Sequence, residues 1–274
     1  MLHRSNFHHR PETGPMTHPF TLAGKKGLVV GIANDQSIAY GCARTFRAMG
    51  ADLAVTFLND RAKPHVEPLA ATLEADFLGP CDVRASGELK DVFTTLGDRW
   101  GKLDFVLHSI AFAPKDDLHG RVTDCSRDGF SQAMDVSCHS FIRMARYAEP
   151  LMEKAGGGTL LTVSFYGGEK VVEHYNVMGP VKAALESVTR YMAAELGEKG
   201  VRVHALSPGP LKTRAASGID RFDELMERAA LRAPQHTLVS IEDIGAYAAF
   251  LVSDGARNIT GGTHYIDAGY NILG

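Results

Sequence analysis

From Ala23 onward, short apolar runs alternate with amphipathic stretches, the pattern of β-α units feeding one parallel sheet. The first run, Gly27-Leu28-Val29-Val30-Gly31, is apolar at nearly every position, as a strand covered on both faces should be. A helix is predicted from Ser37 to Met49, with Gly50 as its stop. Next come a strand over Asp52 to Phe57, a helix over His65 to Glu74, and a short strand ending at Cys81-Asp82-Val83. A helix from Gly87 to Trp100 and a strand from Phe105 to Ser109 follow. The second half reads as one long helix, Arg127 to Lys154, a Gly156-Gly157-Gly158 break, and a strand from Thr159 to Ser164. It closes with a helix from Tyr175 to Glu198, a strand from Val201 to Leu206, a helix from Ile241 to Val252, and a strand from Thr263 to Asp267. No repeat or linker interrupts the series. The pattern predicts an α/β chain with one doubly wound, Rossmann-like domain over residues 21–274, a seven-stranded parallel sheet with helices on both faces.

In such a fold the turn after the first strand is where a dinucleotide pyrophosphate meets free N–H groups at a positive helix end. Here that turn runs from Gly31 to Gly41. Gly31 permits the turn, Ser37 is expected to cap the helix and donate to phosphate, and Gly41 to allow close helix–strand packing. The spacing is not G-x-G-x-x-G, and a tight turn with a serine cap is the plain alternative. Tyr175 and Lys182 are seven residues apart on one predicted helix, close to two turns, so their side chains are expected to share a face. Such a pair is ordinarily unremarkable, but beside a dinucleotide loop it becomes a candidate for chemistry.

Gly31 followed by Ser37-Ile38-Ala39-x-Gly41 resembles the loop of the divergent short-chain dehydrogenases/reductases that reduce enoyl-acyl-carrier-protein thioesters in fatty-acid synthesis. Further similar segments recur in order: Cys81-Asp82-Val83, His108-Ser109-Ile110-Ala111-Phe112-Ala113-Pro114, Tyr175-Asn176-Val177-Met178-Gly179, Gly209-Pro210-Leu211-Lys212-Thr213 and Ala215-Ala216-Ser217-Gly218-Ile219. Six residues between Tyr175 and Lys182 is the spacing of that family, against three in ordinary short-chain dehydrogenases.

The resemblance implies hydride transfer from NADH to an enoyl thioester, with Tyr175 donating to the thioester oxygen and Lys182 bonding the nicotinamide ribose and acidifying Tyr175. It implies cofactor contacts from Gly31, Ser37, Ile38, Asp82, Val83, Ser109, Ile110, Ala111, Leu211 and Thr213. Ala113, Tyr166, Met178, Ala215, Ala216, Ile219 and Phe222 would offer an apolar wall for the acyl chain, with a substrate loop at about 213–234. Where the family has a second tyrosine ten residues before the first, this chain has Phe165, with Tyr166 beside it. Leu58, at the ribose edge of the second strand, carries no charge to meet a 2′-phosphate, which favours NADH; Arg61 and Lys63 leave NADPH open. The implied partners are an acyl-carrier protein and three further copies in a homotetramer. Asp220, Asp223 and Glu224 lie among the Arg221, Arg228 and Arg232 that would face an acidic carrier, so a CoA thioester stays open as substrate.

A net charge of −3 over 274 residues steers the chain to neither nucleic acid nor an anionic membrane. No apolar run reaches the length of a membrane span, and the first 20 residues lack a signal-peptide core. Four widely spaced cysteines with no C-x-x-C pair fit reduced thiols in a cytoplasmic protein. His3, His8, His9 and His18 read as a solvated, disordered tail over residues 1–20, not as metal ligands. Two competing readings are a carbonyl reductase or alcohol dehydrogenase and a catalytically silent nucleotide-binding sensor. The Tyr–Lys spacing speaks against the first. The intact pair speaks against the second, which has only Phe165 in its favour.

Overall fold

The structure is a computed structural model that describes residues 19–213 and 221–273. Its strands are β1 (Lys26–Val30), β2 (Asp52–Phe57), β3 (Phe77–Pro80), β4 (Phe105–His108), β5 (Gly158–Val163), β6 (Val201–Pro208) and β7 (Thr263–Ile266). They form one sheet in the order β3-β2-β1-β4-β5-β6-β7, and every pairing is parallel. The order reverses between β1 and β4, and a crevice opens at their carboxyl ends, where doubly wound sheets bind ligands. Val30, His108 and Thr162 stand in register across β1, β4 and β5 at that edge.

The helices are α1 (Ile38–Ala48), α2 (Lys63–Thr72), α3 (Glu88–Trp100), α4 (Lys115–His119), α5 (Arg127–Met134), α6 (Ser140–Lys154), α7 (Met178–Leu196), α8 (Phe222–Arg232) and α9 (Ile241–Val252). Successive strand residues point to opposite faces, so each strand feeds two cores. Leu28, Val106 and Leu160 pack with α3, α6 and α7; Val29, Leu107 and Leu161 pack with α1 and α9. This explains why the central strands read as unbroken apolar runs.

The structure departs from the sequence expectations where backbone detail decides. The long helix expected over Arg127 to Lys154 is two helices, α5 and α6, joined by a π-helical turn over Asp135–His139. The π bonding is confined to five residues between two ordinary helices, too short a stretch for an apolar pattern to mark. The helix expected to begin at Tyr175 begins at Met178, because His174 and Asn176 adopt φ of 63° and 43°. α4 lies in a segment where no helix was predicted, and α8 lies within the segment that the resemblance gives to a substrate loop and helix. β3 stops at Pro80 and β7 at Ile266, both short of the predicted ends.

Gly41 serves helix–helix packing rather than the expected helix–strand contact. A Cβ there would stand 2.5 Å from the Ile241 carbonyl oxygen of α9. At the amino end, the carbonyl of Pro19 accepts from Gly255 N (2.8 Å) and Phe20 packs on Phe250 of α9 with ring centroids 6.1 Å apart, so contacts with the fold begin within the residues read as tail. His3, His8, His9 and His18 lie outside the described residues.

Candidate active site

The crevice floor is built from the β1–α1 turn and the end of β4. Gly31 has φ of 115°, and a Cβ on it would stand 2.0 Å from the Ser109 carbonyl oxygen. Only glycine lets these two strand ends approach so closely. Ser37 precedes α1 but does not cap it. Its hydroxyl instead accepts from the N–H groups of Ala33 and Asn34 (3.0 Å each) and donates to Asn34 Oδ1 (3.1 Å). The first turn of α1 has no acidic residue. The free N–H groups at Ile38 therefore present an uncompensated positive helix end, which suits a pyrophosphate.

Further along the edge, Leu58 follows β2 and is 49% exposed. Asp82 and Val83 follow β3, with Val83 buried. The Asp82 carboxylate is already engaged: Oδ1 accepts from Arg84 N (2.9 Å) and Nε (3.0 Å), and Oδ2 from a guanidinium NH2 (2.7 Å). Those bonds lower the carboxyl pKa, against the smaller opposing effect of burial. The Arg84 guanidinium also lies over the Phe112 ring at 5.7 Å. Ser109 donates its N–H to Val30 O (2.9 Å), so Ser109, Ile110 and Ala111 leave β4 directly beside Gly31. Leu211 and Thr213 follow β6, linked by Thr213 N to Leu211 O at 2.9 Å.

Tyr175 and Lys182 converge although they do not share a helix. Lys182 is buried on the first turns of α7, and its ammonium donates to the Val163 carbonyl at 2.7 Å. Burial pulls its pKa down to about 8, with Glu186 and then Cys138 resisting the change. Tyr175, also buried, sits in the turn ahead of α7 against Phe165, ring centroids 4.9 Å apart. Burial, then the Glu186 carboxylate, push its phenol pKa up. The expected acidification of Tyr175 by Lys182 is therefore absent from this arrangement. A phenol that keeps its proton remains a hydrogen-bond donor.

Tyr166 packs edge-on against Tyr270, centroids 5.6 Å apart. Ala113, Phe165, Tyr166, Tyr175 and Met178 belong to one apolar cluster, joined from α8 by Leu225. Leu225 was not anticipated. Phe222 opens α8 and is half-buried. Ala215, Ala216 and Ile219 lie outside the described residues. Arg228, expected to face a carrier, pairs with Glu173 at 3.0 Å, tying α8 to the turn that holds Tyr175. Asn176 Nδ2 donates to the Leu118 carbonyl of α4 at 2.7 Å, fixing the same turn from the other side.

Two buried polar groups also went unread in the sequence. Ser140 donates to Val136 O (2.7 Å), so its oxygen accepts from His108 Nε2–H (2.7 Å), and His108 Nδ1 accepts from Thr162 (2.8 Å). Burial pulls the imidazole pKa down to about 3, so His108 is a neutral bridge from β4 to β5 and to the start of α6. Glu186, one helical turn beyond Lys182, accepts from Ser164 Oγ at 2.5 Å. Its i+4 spacing from Lys182 was the available signal.

Comparison with known proteins agrees with this geometry. Residues 31–271 match the family model described as enoyl-(acyl carrier protein) reductase. The chain is 47% identical over 253 residues to enoyl-[acyl-carrier-protein] reductase [NADH] 1 of Rhizobium meliloti, covering 92% of each chain. It is 46% identical over 253 residues to the NADH-dependent enoyl-[acyl-carrier-protein] reductase of Aquifex aeolicus, covering 92% of this chain and 93% of that one. Among solved structures, the Anaplasma phagocytophilum reductase in complex with NAD superimposes with a TM-score of 0.88 at 44% identity, covering 93% and 97% of the two chains. The Bacillus cereus enoyl-acyl carrier protein reductase with NADP+ and an indole naphthyridinone gives 0.89 at 43% identity, covering 92% and 98%.

Proposed function

The chain belongs to the enoyl-(acyl carrier protein) reductase family, and on that footing we propose that Tyr175 and Lys182 carry its chemistry. It is an oxidoreductase that reduces the trans-2 double bond of an enoyl thioester with NADH in fatty-acid synthesis. The observation that carries the residue assignment is the convergence of Tyr175 and Lys182 on the carboxyl end of β5, beside the Gly31–Ser109 cradle.

Bound NADH supplies a hydride to the β-carbon of the enoyl group. The negative charge would then rest on the thioester oxygen, where the Tyr175 hydroxyl would donate a hydrogen bond to it, and a proton taken up at the α-carbon would complete the reduction. Lys182 bonds the ribose hydroxyls and adds a positive field across the same oxygen. The helix end at Ile38 holds the pyrophosphate, and Ser37 keeps the turn in shape by bonding its backbone. Ser109, Ile110 and Ala111 line the nicotinamide side, Leu211 and Thr213 hold its carboxamide, and Asp82 and Val83 contact the adenine. With Asp82 Oδ1 taken twice by Arg84 and Oδ2 once, the adenine amino group is left the remaining lone pair of Oδ2.

Ala113, Tyr166, Met178 and Phe222, with Ala215, Ala216 and Ile219, form the acyl wall, and Leu225 joins them. The acyl group arrives on a carrier protein. A homotetramer is the assembly we assign, supported by the family and by apolar side chains left in solvent on α6 and α7, Ile142 and Tyr191. We assign a cytoplasmic location, supported by four unpaired thiols, which suit a reducing compartment. No helix among the described residues is long and apolar enough to cross a membrane.

Loss of NADH absorbance with crotonyl-CoA, compared with a simple ketone, tests the reaction. Turnover of the thioester alone is expected; preferential turnover of the ketone would reassign the chain to carbonyl reduction.

A further inference from the structure

We propose that Glu186 is a positioning residue for this reduction, locking the Val163–Phe165 strand end and holding the Lys182 ammonium in its working state from beneath the site. The proposal rests on the assignment of Lys182 as the ribose-binding group.

The carboxylate is buried, 8% exposed, on α7, where an acid without a partner would be costly. It accepts a hydrogen bond from the Ser164 hydroxyl at 2.5 Å. Ser164 lies between the two contacts that build the site: the Val163 carbonyl receives the Lys182 ammonium, and the Phe165 ring seats Tyr175. The Ser164 N–H is fixed in turn by Leu206 O at 2.6 Å. A Cβ on Gly168 would stand 3.1 Å from Glu186 Oε1, so the turn after Phe165 also closes on this carboxylate. One side chain thus pins the segment that sets both functional residues.

Charge gives Glu186 its second effect. Lys182 is faced by Glu186 from its own helix, His108 from β4 and Cys138 from the π turn, and Glu186 also acts on Tyr175 from beneath. His108 is neutral, and burial raises the pKa of the Cys138 thiol, so Glu186 is the counter-charge. Glu186 is itself faced by Ser164, Glu169, Arg190 and Lys182, and its field reaches Tyr265. Without its charge, burial would act on Lys182 against less opposition and release the proton at lower pH.

The test uses the full chain and fluorescence titration of NADH across about pH 6 to 9, together with kcat and KM for crotonyl-CoA. The parent is expected to lose NADH affinity through a midpoint that Lys182→Ala lacks. Glu186→Gln, nearly isosteric, is expected to bind like the parent at the acidic end and to shift that midpoint down by about one pH unit. Glu186→Asp, which keeps the charge, is expected to restore it. Ser164→Ala is expected to lower kcat several-fold with the midpoint in place. An unmoved midpoint in Glu186→Gln overturns the proposal, as does a Glu186→Asp profile that follows the Gln variant. Should Glu186→Gln fail to fold, the Asp variant alone decides, since a displaced midpoint there is incompatible with a charge role. Failure of the parent to reduce crotonyl-CoA would count against the enoyl assignment and leave the NADH titration readable.

Discussion

The ring of Phe165 meets the ring of Tyr175 edge-on, with centroids 4.9 Å apart and planes inclined at 62°. This is a favoured aromatic geometry, worth about 0.5–1.5 kcal/mol beyond simple burial. Where the family places a second tyrosine, this chain uses the position to seat Tyr175 instead. Tyr166 does not replace the missing hydroxyl, because its ring is committed to Tyr270.

Phe165→Tyr is therefore expected to change little. An added donor at the transition state can be worth about 10²-fold in rate, but the new hydroxyl must enter a wall already packed around the phenyl ring. The expected gain in kcat is below about tenfold, or about 1.4 kcal/mol of barrier. Single-turnover reduction of an enoyl-carrier-protein and an enoyl-CoA checks it. A hundredfold gain on both would mean that the parent is a poor enoyl reductase with another natural substrate.

Tyr175→Phe and Lys182→Ala should separate substrate from cofactor. Removing the phenol would take away the hydrogen bond proposed to the thioester oxygen and is expected to lower kcat by about 10²-fold, with NADH affinity within about twofold of the parent. Removing the ammonium should weaken NADH binding as well. Kinetics paired with NADH fluorescence titration reads both, and parental NADH affinity in Lys182→Ala would refute the ribose assignment.

The contrast between these two residues shows what the sequence could convey. The sheet, its parallel order and the positions of β1, β4 and β5 follow from apolar runs such as Leu28-Val29-Val30, whose neighbours serve opposite cores. Tyr175 and Lys182 were expected to share one helix face, and they do not. Seven residues suggested two turns of one helix, whereas positive φ at His174 and Asn176 keeps Tyr175 in the preceding turn. Non-glycine residues adopt that conformation too rarely for a pattern to announce it. The Ser37 cap failed similarly, since a serine before a helix can bond backward into its loop as readily as forward. Ser164, Leu225 and the partners of His108 become visible only once distant segments meet.

Cofactor choice gives a third expectation. Leu58 at the end of β2 is exposed and uncharged, with nothing to bind a 2′-phosphate, so kcat/KM should favour NADH over NADPH. Leu58→Arg is expected to raise kcat/KM for NADPH several-fold by supplying a guanidinium at that edge. A parental preference for NADPH would instead assign Arg61 or Lys63 to the phosphate.

The buried histidines set the acid limit of stability. His108 sits between Thr162 and Ser140, and His204 of β6 bonds His264 of β7 at 2.9 Å, which in turn bonds the Tyr247 hydroxyl of α9 at 3.0 Å. Burial pulls the pKa of both His108 and His204 down to about 3. In the unfolded chain each histidine takes up its proton near pH 6.5, whereas in the native protein neither does so until about pH 3. Between those values the unfolded state binds more protons, so stability rises with pH across the window and falls as pH drops through it. Above about 6.5 both states carry neutral imidazoles and the dependence from these groups vanishes. Thermal melting is expected to show Tm declining steadily from about pH 6.5 downward. His204→Gln removes one of the two groups and should flatten the decline, while lowering Tm at neutral pH because His264 Nε2 loses its partner. His108→Gln should flatten it similarly, at a larger loss at neutral pH, since the imidazole bridges β5 and the start of α6. An acid slope unchanged in both variants would mean that other groups, not these imidazoles, govern acid unfolding.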